Sequence, residues 1–233
     1  MVSDYDPFAE HYDVWSKGVG DDVPWYVSLA RDATEPVLEL AVGTGRVAIP
    51  IARETGMRVI GIDSSPAMLA IAGQRARGLP VELRQGDMRE LTFESQFDLV
   101  ICPARSLLHL ANWRDRRRVF EGVAAALKPG GRFAWNAFVF SPLVAAHLQG
   151  MRQERPDGLW EESRYVPADS RIELTRGVGE RVLGTVRLYW TTKSEWQGLI
   201  DVAGLEVEGL YGGFDHQPFA DDSLEFVWVV RKP

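Results

Sequence analysis

The stretch Glu39-Leu40-Ala41-Val42-Gly43-Thr44-Gly45-Arg46 decides the fold. It closes a short apolar run, Val37 to Leu40, that follows Pro36. After it, Arg46 to Glu54 offers Val47, Ile49 and Ile51 as apolar surface. An apolar run, a glycine turn and an amphipathic segment read as strand, turn and helix. Glycine in such a turn lets a ligand approach the backbone closely. Pro50 falls near the start of this helix, where a missing N–H costs little.

Working outward, the same alternation continues to about residue 140. Arg58 to Ile62 reads as a second strand. Ser65 caps a helix that starts at Pro66 and runs to about Arg77. Val81 to Arg84 is a third strand, and Phe97 to Cys102 is a fourth, apolar on both faces like a buried parallel strand. Asn112 caps a helix through Leu127, with Val119, Phe120 and Val123 on one face. Pro129-Gly130-Gly131 ends it, and Arg132 to Phe138 is a fifth strand. Such alternation implies a doubly wound parallel sheet with right-handed crossovers.

Beyond Ser141 the period changes. Arg171 to Arg176 and Glu180 to Trp190 alternate around Gly177-Val178-Gly179 and read as an antiparallel hairpin. Thr192 or Ser194 caps a helix through Ala203, which Gly204 ends. Leu205 to Tyr211 and Leu224 to Arg231 close the chain as two antiparallel strands, because a loop and not a helix joins them. The expected architecture is therefore α/β, one domain over 1–233. It has a Rossmann-like seven-stranded sheet with an antiparallel last strand. A small antiparallel β cap is inserted after the fifth strand, at about 141–190. The cap would lie at the carboxyl ends of the strands, where open α/β sheets bind ligands.

The 233 residues are 45% apolar and 25% charged, with a formal net charge of −7. An acidic chain gains nothing from a phosphate backbone, so nucleic acid is not an expected partner. The cluster Arg114, Arg116, Arg117 and Arg118 reads as a solvated helix face. Cys102 is the one cysteine, which leaves no intrachain disulfide and no zinc-ligand spacing. Met1-Val2-Ser3-Asp4-Tyr5-Asp6 is polar and unlike a signal peptide. No apolar run is long enough to span a membrane. These features read as a cytoplasmic protein without metal or membrane. A cap with exposed aromatics also invites a homodimer.

The glycine turn has two common uses. One places a pyrophosphate at the helix N-terminus. Gly43-x-Gly45-x-x-Ala48, with Asp63 ending the second strand, satisfies that fingerprint, which is weak alone. The other wraps the amino-acid end of S-adenosylmethionine. Glu39 inside the turn would repel a pyrophosphate, and a dinucleotide domain has no need of the antiparallel ending.

Five stretches together carry a resemblance. Glu39 to Arg46 matches the first motif of the class I S-adenosylmethionine-dependent methyltransferases, with Ala41 in place of the usual first glycine. Gly61-Ile62-Asp63-Ser64-Ser65 matches the second, Gly86-Asp87-Met88 the third, and Phe97 to Ile101 the fourth. Leu127-Lys128-Pro129-Gly130-Gly131 matches the turn before the fifth strand. The chain is similar to glycine N-methyltransferase and sugar methyltransferase relatives, which act on small metabolites. The resemblance implies S-adenosylmethionine as cofactor and methyl transfer to an O or N atom. A nicotinamide enzyme and a non-catalytic cofactor-binding protein are the alternatives.

The resemblance also implies site residues. Asp63 accepts from the ribose hydroxyls, or only caps the next helix. Asp87 takes the adenine amino group, with the Met88 N–H beside it, or is a plain turn aspartate. Gly43 and the Ala41 carbonyl face the amino-acid end. Glu39 either reaches its ammonium or orders the loop. Arg46 faces its carboxylate, or is a solvated helix arginine. Tyr12, in an N-terminal segment that resembles a lid, approaches the carboxylate or the sulfonium. Ser64, Met68 and Ala104 complete the cofactor set. Ser106 and His109 follow the fourth strand, where the methyl group should sit. His109 is either the general base or a packing residue. Trp160, Tyr165, Tyr189 and Trp190 of the cap read as a substrate wall, and Arg164, Arg171, Arg176, Arg181 and Arg187 as acid-binding or outward residues.

Overall fold

A computed structural model describes residues 4–16 and 22–233. Residues 1–3, part of the polar stretch read as unlike a signal peptide, lie outside the described residues. A short 3₁₀ segment, Asp6–His11, leads into α1 (Tyr12–Ser16). Then come α2 (Asp22–Ala30), β1 (Val37–Leu40), α3 (Ala48–Thr55), β2 (Val59–Asp63), α4 (Pro66–Arg75), β3 (Val81–Gln85), β4 (Phe97–Cys102), α5 (Trp113–Ala126) and β5 (Leu127–Phe138). The region after β5 holds α6 (Pro142–Leu148), β6 (Arg152–Glu154), β7 (Leu159–Val166), β8 (Arg171–Val178) and β9 (Arg181–Tyr189). The chain closes with α7 (Lys193–Val202), β10 (Glu206–Tyr211) and β11 (Glu225–Arg231).

The main sheet has seven strands in the order β10-β11-β5-β4-β1-β2-β3. Strands β1 to β5 pair in parallel, and β11 runs antiparallel to both β5 and β10. Apolar side chains bury both faces of β1 and β4, which is why those runs are nearly continuous. One face packs Leu38, Val100, Phe120, Trp135, Trp196 and Trp228; the other packs Tyr26, Val37, Ile51, Leu99 and Val227. Local signals start the helices. The Ser65 hydroxyl accepts from the Met68 N–H at 3.1 Å, and the Asn112 side chain accepts from Asp115 N–H. Strand β1 lies between β2 and β4, so its crossovers leave in opposite directions. That switch point opens a crevice at the carboxyl ends of β1 and β4.

Three expectations need correction. The fifth strand begins at Leu127, not Arg132. Leu127 pairs with Phe97 and Arg132 with Leu99, so Lys128 to Gly131 is taken up as a bulge instead of a stop. The cap is a four-stranded antiparallel sheet, β6-β7-β8-β9, larger than the single hairpin expected. Arg116 is not solvated. It sits on the Val119–Phe120–Val123 face of α5 and is 4% exposed. Its guanidinium donates to Glu195 at 2.5 Å and to the Tyr189 carbonyl at 2.8 Å, tying α5 to α7 and to the end of β9.

A third, smaller core joins the cap to the N-terminal segment. Phe8 and Trp15 pack there against Leu159 and Val186. Polar contacts tie the same segment to the main sheet. Asp13 accepts from the Thr44 hydroxyl at 2.7 Å and pairs with Arg75, and the Ser65 hydroxyl donates to Asp6. Among the described residues no helix is long and apolar enough to cross a membrane.

Candidate active site

A cavity of about 440 Å³ opens at the crevice. That volume lies within the range of small-molecule sites, roughly 300–1,000 Å³. Tyr12, Ala41, Gly43, Asp63, Ser64, Met68, Asp87, Met88, Ala104 and His109 all line it. A second lobe of about 260 Å³ shares Asp63, Asp87 and Met88 and extends toward Gly86, Leu110 and Asp115.

The loop after β1 shapes one wall. Ala41 and Gly43 have φ of +55° and +56°. For Ala41 this is a left-handed conformation that an L side chain resists. Strand β2 comes close beneath: a Cβ on Gly61 would fall 2.7 Å from the Val42 side chain. Asp63 then joins two loops. One carboxylate oxygen accepts from Gly43 N–H and the other from Ser65 N–H, both at 2.8 Å. Each oxygen keeps a lone pair for a further donor. Burial raises the Asp63 pKa, and the backbone N–H groups oppose that rise.

Glu39 and Arg46 do not line the cavity. Glu39 is buried beneath the loop, where the Ala48 N–H bonds it at the start of α3. Burial pushes its carboxyl well above the usual range, and one oxygen has no partner. Arg46 is not a solvated helix arginine. Its guanidinium grips the carboxylate of Asp22 at 2.5 and 2.7 Å, and Asp22 is fully buried at the start of α2. A buried carboxylate needs a paired cation, so this partner outcompetes solvent. Asp87 does line the cavity, but Arg89 holds its carboxylate and keeps its pKa low.

The wall after β4 is strained and braced. Ala104 and Arg105 have φ of +57° and +62°. The Arg105 guanidinium bonds Glu225 at 3.0 and 2.7 Å, and Glu225 also accepts from Asn136 at 2.7 Å. Such strain persists only where neighbours over-determine it, and it clusters at functional sites. The Ser106 hydroxyl turns back to the Pro103 carbonyl at 2.6 Å.

His109 is held from two sides. The Arg187 carbonyl lies 3.2 Å from Nδ1, and a carbonyl only accepts, so Nδ1 carries the proton. Nε2 is then the acceptor for the Tyr5 hydroxyl at 2.9 Å. Removal from water pushes the imidazole pKa down to about 4, and the Arg187 carbonyl opposes this. The ring is therefore neutral near pH 7, with both nitrogens engaged.

Tyr5 is a site residue that the sequence reading quoted without singling out. It lines the cavity with Asp4, Arg89, Arg187 and Tyr189. Its ring packs edge-on to Tyr12 at 5.8 Å and to His109 at 5.2 Å. No helical spacing points to it, because a 3₁₀ segment kinked at Phe8 separates Tyr5 from Tyr12. Of the cap aromatics, Tyr189 reaches the cavity. Trp190 stacks on Phe140 at 4.0 Å, Tyr165 lies beside Phe140, and Trp160 donates to the Gly179 carbonyl. The cap arginines Arg164, Arg171 and Arg176 pair with cap carboxylates.

Residues 37–131 match the protein family described as "Methyltransferase domain". The demethylmenaquinone methyltransferase of Thermus thermophilus is 33% identical over 62% of this chain and 68% of its own length. The chain belongs to the class I S-adenosylmethionine-dependent methyltransferases. Another methyltransferase relative, the cypemycin N-terminal methyltransferase of a Streptomyces species, is 27% identical over 98% of this chain and 97% of its own. The solved structure of the CcbJ methyltransferase from Streptomyces caelestis superposes with a TM-score of 0.84 at 26% identity, covering 99% of this chain and 98% of that one. Both the sheet order and the small antiparallel sheet agree with this methyltransferase fold. The enzyme's cofactor is S-adenosylmethionine. The residues present suit it: an open glycine loop, a loop-bridging carboxylate with spare lone pairs, and an apolar Met68.

Proposed function

We propose that this methyltransferase transfers the methyl group to the nitrogen of a small amine. One observation carries the reading: both nitrogens of His109 are engaged, and its basicity is low. A hydroxyl acceptor needs its proton removed, and a base with a pKa near 4 does that poorly. An amine needs only to arrive uncharged, because its lone pair is then the nucleophile. The bound cofactor supplies the methyl group on a positively charged sulfur.

The protein's contribution is then mainly positioning. Asp63 offers its free lone pairs to the ribose hydroxyls. Asp87 and the Met88 N–H serve the adenine, and Ser64, Met68 and Ala104 complete the walls. Ala41 and Gly43 present backbone to the amino-acid end, with Tyr12 across from them. Glu39 orders the loop from below, and Arg46 ties it to α2. His109 acts by holding Tyr5. The Tyr5 ring, fixed in this way, forms one wall of the acceptor end. The name of the cypemycin relative, an N-terminal methyltransferase, supports nitrogen as the acceptor atom.

The test uses matched acceptors and cofactor with an isotopically labelled methyl group. The pairs are tyramine with tyrosol, an amino sugar with its parent sugar, and a free-amine dipeptide with its 2-hydroxyacyl analogue. The reading expects label in the amine member of at least one pair. Label entering hydroxyl members at equal or greater rates overturns it.

A further inference from the structure

Behind Tyr5 lies a buried arginine. Arg176 of β8 stands opposite Gly184 of β9, and the Phe8 ring packs over that glycine. The guanidinium carbon lies 5.4 Å from the Phe8 ring centre and 5.2 Å from that of Trp15. Nε donates to Glu161 of β7 at 2.7 Å. Nη1 is buried with no partner. The Phe8 ring packs edge-on to Tyr5 at 5.1 Å, and Tyr5 bonds His109. One aromatic layer thus separates a fixed positive charge from the phenol at the acceptor end.

Asp4, Asp63 and Asp87 line the cavity with Arg89 and Arg187, and behind them Arg176 is incompletely paired. Glu161 serves Arg176 and, at 3.9 Å, Arg155, so two cations share one anion. From the lid come Tyr12 and Asp13, from the cofactor loops Asp63 and Arg46. Among the charges acting on Tyr5, Arg176 is the largest single one, with Tyr12, Asp63 and Glu161 each opposing it. It is also the charge that disfavours protonation of His109.

We infer that Arg176 is a positioning residue, which clamps the lid by stacking on Phe8 and Trp15 and whose charge keeps a bound amine in its uncharged, nucleophilic form. The inference deepens the amine reading and rests on it. An ammonium entering this field gives its proton to bulk water, and the lone pair so exposed faces the methyl group. The same field acts on His109, which therefore reports it without any acceptor present. Arg176 needs its charge for this role and not merely its bulk.

The experiment follows the His109 imidazole by NMR through a pH titration of the acceptor-free protein. The wild type should titrate near 4. A unit charge about 10 Å away, at an effective dielectric of about 20, moves a pKa by about one pH unit. Arg176→Gln should therefore raise the His109 midpoint by about that much, Glu161→Gln should lower it, and Arg176→Lys should stay near the wild type. An unmoved midpoint in a folded Arg176→Gln protein overturns the inference. If that variant does not fold, the sign of the Glu161→Gln shift decides instead. A second readout takes the fastest amine of the matched pairs. The acidic limb of its kcat profile, which reports groups in the bound complex, should move to higher pH in Arg176→Gln. A set in which no amine is methylated overturns the function, while the titration still judges the field.

Discussion

Replacing Asp22 by asparagine keeps the shape of the Arg46 partner and removes its charge. Asp22 is fully buried and the Arg46 side chain is 20% exposed, with two direct bonds between them. Breaking a buried pair by neutralising one member costs about 3–5 kcal/mol. Water reaches part of Arg46, so the lower end, about 3 kcal/mol, applies. For a chain of this size that corresponds to a fall in Tm of roughly 10 °C. Scanning calorimetry of Asp22→Asn reads it directly. The double variant Asp22→Leu/Arg46→Met removes both charges and should recover most of the loss, since an apolar pair of similar volume is tolerated. The competing role for Arg46 gives the opposite pattern. If its guanidinium serves the cofactor carboxylate, Asp22→Asn frees it for that task. Tm would then hardly change and S-adenosylhomocysteine would bind more tightly, which would refute the reasoning.

Other consequences are also measurable. His109 has a folded pKa below its unfolded value, so its contribution to stability is present above about pH 6.5 and lost as pH falls toward 4, a difference of about 2–3 kcal/mol. Glu39, whose pKa is raised, acts in the opposite direction, and comparing two proteins that both keep it cancels that contribution. Urea unfolding of His109→Gln should therefore show a shallower loss between pH 6.5 and 4 than the wild type; parallel curves would contradict the assignment. Ala41→Gly relieves a left-handed alanine and should stabilise the fold by about 0.5–1 kcal/mol, net of the looser unfolded chain, in the same assay. Tyr5→Phe removes the hydroxyl held by His109 and should lower kcat for an amine acceptor with little change in cofactor affinity.

Much of this architecture was legible because local chemistry and tertiary context agree. The apolar runs of β1 and β4, the Ser65-Pro66 cap and the alternation of β8 and β9 each meet their signal in the fold. Strands β6 and β7 escaped because Arg152–Glu154 is wholly polar, and Leu159–Val166 places charges at positions that a neighbouring strand covers. Arg116 was readable in principle: it lies three, four and seven residues before Val119, Phe120 and Val123, on their face of the helix. Its neighbours in the arginine run obscured it. The Arg46–Asp22 pair was not readable, because an aspartate in a glycine- and acid-rich stretch reads as a turn until a buried cation is brought to it. Most of the residues that line the cavity lie on motifs that fix backbone. The acceptor end depends on Tyr5, Arg176 and the Arg187 carbonyl, brought together from separate strands and the lid, where no spacing rule applies.

The central claim is that the cavity beside Asp63 holds the cofactor. Calorimetric titration of S-adenosylhomocysteine into the wild type and into Asp63→Ala tests it without knowledge of the acceptor. Hydrogen bonds to a charged group contribute about 1.5–3 kcal/mol each, so loss of two predicts affinity at least about 100-fold weaker in the variant. Equal affinity in the two proteins, with both folded, would contradict the account.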